Sequence, residues 1–307
     1  MKSNLHLKHT NKILVILTSG RSGSSLVSKF FECFNYSTGK QLNVSPLIDK
    51  IKKSNPKGHY ENIHALETNE YILRKNNLTW FSIKRDIKKE YLNLIGTTIE
   101  KIISDSDSNI VIKDPRMSSL AKSWHKVITK KKLNIDYLFL YRDPNEFIHS
   151  IIKRDSLPFE EAEGLWLQDN FSILKFLNDK RFYSLCFNDF INHEDKFLKS
   201  IENYLVTPHN PKRFSNFKQS FFNSSYIRSS NQKFNLSSET LSLYNTIRRL
   251  PLVNNSFKFD TKQVLIQNKI NKISAKQNQS LYYKIRKIIY FIKSILRPLY
   301  SNHRFFL

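Results

Sequence analysis

The chain has 307 residues, 40% of them hydrophobic, enough for one large α/β domain with or without an appendage. A net charge of +24 and a pI near 9.9 call for an anionic partner (nucleotide, nucleic acid, membrane surface or acidic polymer), although part of the excess follows from a composition rich in Lys, Asn and Ile. Cys33 and Cys186 make neither a disulfide framework nor a metal-ligand spacing, and the apolar run after the polar segment Met1 to Lys12 is too short for a signal or membrane span, so the expected setting is the cytosol, with reduced thiols.

The first informative stretch is Lys12 to Phe30, KILVILTSGRSGSSLVSKF. Ile13 to Leu17 is a short apolar run with three β-branched residues, which predicts a buried strand. Thr18 to Ser25 is built of small residues around Arg21, and Leu26, Val27, Phe30 and Phe31 then recur at helical spacing. Strand, glycine loop and helix together make a cradle for a phosphate-like anion: glycines allow close backbone approach, and the helix start presents N–H groups. Ser24 and Ser25 can cap the helix or donate hydroxyls to the same anion. The loop is not a Walker A loop, because Gly23 is followed by Ser24 and not by lysine; its fixed cation is Arg21. The alternative is an ordinary tight βα turn with no ligand.

Asn35 to Asn55 reads as irregular connection with short helical pieces. Asn55-Pro56-Lys57-Gly58 carries turn signals, and a helix is expected just after Asn62, with Ile63, Leu66, Tyr71, Ile72 and Leu73 giving a partial apolar stripe. His59, Glu61 and His64 are three proton acceptors within six residues; each is otherwise a solvated loop side chain, and nothing completes a zinc site. Asn109 to Arg116 predicts a second parallel strand whose carboxyl end carries Lys113, Asp114 and Arg116, where ligands gather in open α/β sheets. A salt bridge from Asp114 to a neighbouring cation is the competing role. Asp136 to Tyr141 predicts a third strand ending in Arg142-Asp143-Pro144, with Ser150 eight residues beyond Arg142; an arginine fork and a hydroxyl suit a terminal phosphate.

Pro158 to Asn178 predicts a long helix with Leu167, Phe171 and Leu174 in the core, and Phe182 to Phe187 a fourth strand, followed by a helix through Phe197, Ile201 and Leu205. The alternation indicates βαβ units and a parallel sheet. Pro208 to Ser238 has no clear period and is expected to be a long loop or lid, with Arg228 among its serines as a further ligand-binding cation; Leu241, Tyr244 and Ile247 begin another helix. Residues 1–260 are thus expected to form the α/β domain and 261–307 a basic helical extension. That extension has no Asp or Glu, and Ile285, Ile288, Ile289, Ile292 and Leu296 sit at helical spacing. A basic helix with an apolar stripe suits the inner, anionic face of a membrane; the competing role is packing on the domain with its lysines in water.

These segments together resemble the bacterial branch of the PAPS-dependent sulfotransferases (PAPS is 3′-phosphoadenosine 5′-phosphosulfate). The matching residues are Thr18 to Ser25, Asn55 to Gly58 with Glu61, Lys113 to Arg116, Arg142 to Pro144 with Ser150, and Leu165-Trp166. His59-Tyr60 departs from the aromatic pair frequent in the family, and the region after Asp260 has no counterpart. The resemblance implies an α/β fold of the P-loop NTPase-like sulfotransferase kind, with a mostly parallel central sheet flanked by helices and a basic helical C-terminal appendage. It implies sulfuryl transfer from PAPS to a hydroxyl or amine, for which the loop cation, amides and helix dipole need no metal; the basic charge and the membrane-suited tail make a glycan or lipid-linked precursor the expected acceptor. It assigns Gly20, Arg21, Ser22, Gly23, Ser24 and Ser25 to the 5′-phosphosulfate and Arg142 with Ser150 to the 3′-phosphate. Arg21 would also neutralise the leaving phosphate. Glu61 is the first choice of catalytic base, His59 the second and His64 the third. Two other functions compete: a kinase on a related fold, which would want a P-loop lysine and a Mg²⁺ carboxylate, and a non-catalytic basic protein on membrane or nucleic acid, for which no nucleic-acid motif appears.

Overall fold

The computed structural model describes residues 12–40, 59–221, 232–259 and 263–300. Strand β1 (Ile13–Thr18) lies at the centre, because every residue in it is apolar or small and both of its faces can be buried. It pairs in parallel with β3 (Asn109–Lys113) on one side and β4 (Ile135–Tyr141) on the other, Ile13 lying opposite both Ile110 and Ile135. Beyond them lie β2 (Tyr36–Ser37), β5 (Phe182–Cys186) and β6 (Val253–Asn254), in the order β2-β3-β1-β4-β5-β6; only β6 is antiparallel.

The period of two along β1 splits the core into two layers. Ile13, Val15 and Leu17 face one layer, and Leu14 and Ile16 the other. The first layer holds α2 (Ile63–Lys75), α3 (Leu92–Ser104), α4 (Met117–Lys130), α5 (Pro144–Asp155), α6 (Phe159–Leu177), α10 (Ser238–Arg248) and α11 (Gln263–Gln279). The second is covered by α1 (Ser24–Phe30), a 3₁₀ turn over Phe31–Phe34, α7 (Phe187–Asn192), α8 (Glu194–Leu205) and α9 (Pro211–Phe221). The last described helix is α12 (Leu281–Tyr300).

The expected loop over Pro208 to Ser238 is corrected in part. Residues 211–221 are helical, because Phe214 and Phe217, one turn apart, both pack on Phe30, with ring centroids 6.2 and 5.6 Å away. Arg228 and the Asn55 to Gly58 turn lie outside the described residues.

The segment after Asp260 begins inside the first layer. Ile266, Ile270 and Ile273 of α11 are core residues, and Gln277 accepts from the Ile83 amide at 3.0 Å while donating to Glu161 at 2.9 Å. Gly164 in α6 lets α11 pass close by: a Cβ there would come within 3.0 Å of both Ile273 and Ile83.

Candidate active site

The carboxyl ends of β1, β3 and β4 bring the charged motifs to one edge of the sheet. After β1 the chain turns sharply, with left-handed backbone at Arg21 (φ 66°) and Gly23 (φ 75°). Gly23 is itself the N-cap of α1 and no serine side chain caps the helix, so of the two roles open to Ser24 and Ser25 capping is not the one taken. The turn needs glycine for a second reason. A Cβ on Gly23 would stand 1.9 Å from the ring of Phe187, the first residue of α7 after β5. Ser19 and Ser22 are buried and hydrogen-bonded to each other at 2.9 Å, which ties the loop across its base.

Arg21, Arg142 and Ser150 meet on the β4 side of this loop. Arg21 Nε donates to Ser150 Oγ at 3.0 Å, and Arg142 Nη1 donates to the Arg21 carbonyl at 3.1 Å. Asp143 caps α5 through the amides of Asn145 and Glu146, which fixes where the helix carrying Ser150 starts. Glu146 and Phe187 orient Arg142, and Asn188 steadies Glu146. Glu146 Oε2 accepts from Arg142 Nε at 2.7 Å, Asn188 holds the other oxygen of Glu146 at 2.8 Å, and the Phe187 ring lies 5.3 Å from the guanidinium carbon. The positioning roles of Glu146, Asn188 and Phe187 were not anticipated from sequence, although Phe187 directly follows a parallel strand, where such residues collect.

The β3 side carries the second cluster. Lys113, with only 2% of its side chain exposed, donates to Glu61 Oε1 at 3.0 Å and to the His59 carbonyl at 2.6 Å. That carbonyl also accepts from Ser25 Oγ at 3.0 Å, so His59 bridges the glycine loop and β3. Asn62 anchors the segment by capping α2 at the amides of His64 and Ala65 and by donating to the Thr38 carbonyl. Burial pushes the Glu61 carboxyl up, but Lys113, Arg116 and His59 more than offset this and hold it below the usual glutamate range. Burial lowers His59, and Lys113, Arg154 and Arg21 lower it further against Glu61, so its imidazole is neutral near pH 7. His64 points elsewhere, pairing with Asp105 at 3.0 Å.

Asp114 makes the structural ion pair that competed with ligand contact. Its Oδ1 accepts from Arg116 at 2.8 Å and its Oδ2 from Asn69 at 2.9 Å, and Asn69 in turn accepts from Trp124. Arg116 reaches on to Glu70 at 2.7 Å. Behind this, Arg85 joins Asp169, and Ser118 donates to the same carboxylate oxygen at 2.8 Å. Among the described residues no group of His, Cys, Asp and Glu could hold a metal ion.

No family model and no curated protein matches the chain. Solved structures do. The sulfotransferase domain of the Synechococcus PCC 7002 olefin synthase matches with a TM-score of 0.50 and 20% identity, over 80% of this chain and 98% of that one. A sulfotransferase from Mycobacterium avium matches with a TM-score of 0.50 and 12% identity, over 78% of this chain and 75% of that one. The chain therefore shares the fold of sulfotransferase domains, a mostly parallel α/β sheet flanked by helices.

Proposed function

We propose that this chain is a sulfotransferase that moves the sulfuryl group of PAPS to an acceptor hydroxyl or amine. The observation that carries the reading is the meeting of Arg21, Arg142 and Ser150 beside the glycine loop, at the carboxyl edge of a sheet shared with sulfotransferase domains. PAPS supplies a sulfuryl group on a phosphate leaving group, and it has a second anionic end in its 3′-phosphate.

The residues fit both ends. Arg142 and Ser150 offer a guanidinium fork and a hydroxyl for the 3′-phosphate. The loop from Gly20 to Ser25, with Arg21, offers amides, hydroxyls and a fixed charge for the phosphosulfate. Lys113 supports the same loop from the β3 side through the His59 carbonyl. Arg21, the loop amides and the helix dipole can neutralise charge on a departing phosphate without a metal.

Glu61 takes the acceptor's proton in this reading. Its carboxylate is ionised across the physiological range, and Lys113 engages only Oε1; a carboxylate has a second oxygen with acceptor capacity for a hydroxyl. His59, neutral and nearby, is the alternative proton acceptor.

Ligand preference tests the proposal. Adenosine 3′,5′-bisphosphate should raise the melting temperature without any divalent metal, and sulfuryl transfer should survive EDTA. Stabilisation by ATP with Mg²⁺ alone, or activity lost to EDTA and restored by Mg²⁺, would move the chain to phosphoryl transfer.

A further inference from the structure

Helix α12 is mounted with its aromatic side inward and its isoleucines outward. Tyr283 is buried, with its hydroxyl 2.9 Å from Ser82 Oγ, and the Arg286 guanidinium lies 4.8 Å from the Phe81 ring centroid. The Tyr290 ring packs on Phe81 at 5.8 Å, and its hydroxyl donates to Glu70 at 3.4 Å. These residues recur at i, i+3 and i+7, so they define one face and fix the helix's rotation about its axis.

The opposite face carries Leu281, Ile285, Ile288, Ile289, Ile292 and Ile295, which are 71%, 49%, 59%, 45%, 51% and 57% exposed. At 1.5 Å per residue this stripe runs about 20 Å. It is far longer than scattered surface apolar residues explain. Exposed Lys284 and Lys293 flank it, and residues 261–307 contain ten Lys or Arg and no acid. A second copy of the chain docking symmetrically would set this charge against itself. An anionic lipid surface complements the lysines and takes up the isoleucines together. No described helix is long and apolar enough to cross a bilayer, which leaves the interface as the depth at which α12 would sit.

We propose that α12 seats the protein on an anionic lipid bilayer, isoleucines in the acyl boundary and Lys284 and Lys293 at the headgroups. The proposal is independent of the sulfotransfer reading. The test is flotation of the full chain with phosphatidylcholine vesicles, with and without phosphatidylglycerol. Binding should require phosphatidylglycerol and fall as salt is raised. Ile288→Asp with Ile292→Asp should abolish it, while the melting temperature and the response to adenosine 3′,5′-bisphosphate stay unchanged, since both side chains point away from the core. Lys284→Gln and Lys293→Gln, which add no charge to the stripe, should each weaken binding by about fivefold. They keep the proposal testable if the aspartate variant misfolds. No binding to phosphatidylglycerol vesicles at low salt would overturn it. So would equal binding to neutral vesicles, or a dimer in sedimentation velocity that the aspartates dissolve while vesicle binding is absent.

Discussion

The two charged clusters at the edge of the sheet are made of the same residue types and balanced differently. On the β4 side, Arg142 pairs with Glu146 and donates to the Arg21 carbonyl, while Arg21 donates to the Ser150 hydroxyl. On the β3 side, Lys113 and Arg116 face three carboxylates, Glu61, Asp114 and Glu70. The first cluster ties its cations to the glycine loop and to the helix that carries Ser150, and it is the one we propose for an anion. The second spends its cations on its own acids, which stabilises the ionised form of Glu61 and braces the segment that carries it. An arginine or lysine at a strand end is thus not by itself a ligand site, as Arg116 between Asp114 and Glu70 illustrates.

The comparison can be broken most sharply at Glu61. Glu61→Gln keeps an acceptor for Lys113 but removes most of the basicity, and should lower kcat by about 10²–10⁴-fold with donor affinity nearly unchanged. The pH profile sharpens the same point. Because the Glu61 carboxyl is held below 4.5, the acidic limb of kcat should fall below pH 4.5, where Glu61 gains its proton. An acidic limb that survives Glu61→Gln, with turnover lost in His59→Ala, would transfer the role to His59.

Next in size is Arg116→Ala. It removes the guanidinium that pairs with buried Asp114 and Glu70 and should cost about 3–5 kcal/mol in denaturant unfolding, the scale of a broken buried pair. Stability close to wild type would mean that the β3 cluster is not braced from within, and the contrast with the β4 side would fail.

The parallel core was legible in the sequence because Ile13 to Leu17, Ile110 to Ile112 and Tyr137 to Tyr141 are apolar runs too short for helices. Edge strands β2 and β6 were not, since two residues carry no pattern and are strands only by pairing with β3 and β5. The Phe214 and Phe217 pair was hidden among Ser, Asn and Lys. At the site, the spacing of Arg142 and Ser150 pointed to one ligand, but their meeting with Arg21 joins residues more than 120 positions apart and follows only from the order β1-β4. The Lys113–Glu61 pair is long-range in the same way. In α12 the apolar stripe was plain, while its direction was not: Phe81, Ser82 and Glu70 supply the partners that turn Tyr283 and Tyr290 inward.

The most direct measurement is a calorimetric cycle comparing adenosine 3′,5′-bisphosphate with adenosine 5′-monophosphate on the wild type and Arg142→Ala. If the β4 cluster holds the 3′-phosphate, the substitution should weaken the bisphosphate by about 2–3 kcal/mol, the worth of a charge-assisted contact. The monophosphate should be nearly unaffected. Equal losses for both nucleotides, or none for either, would contradict the assignment of Arg142 to that phosphate.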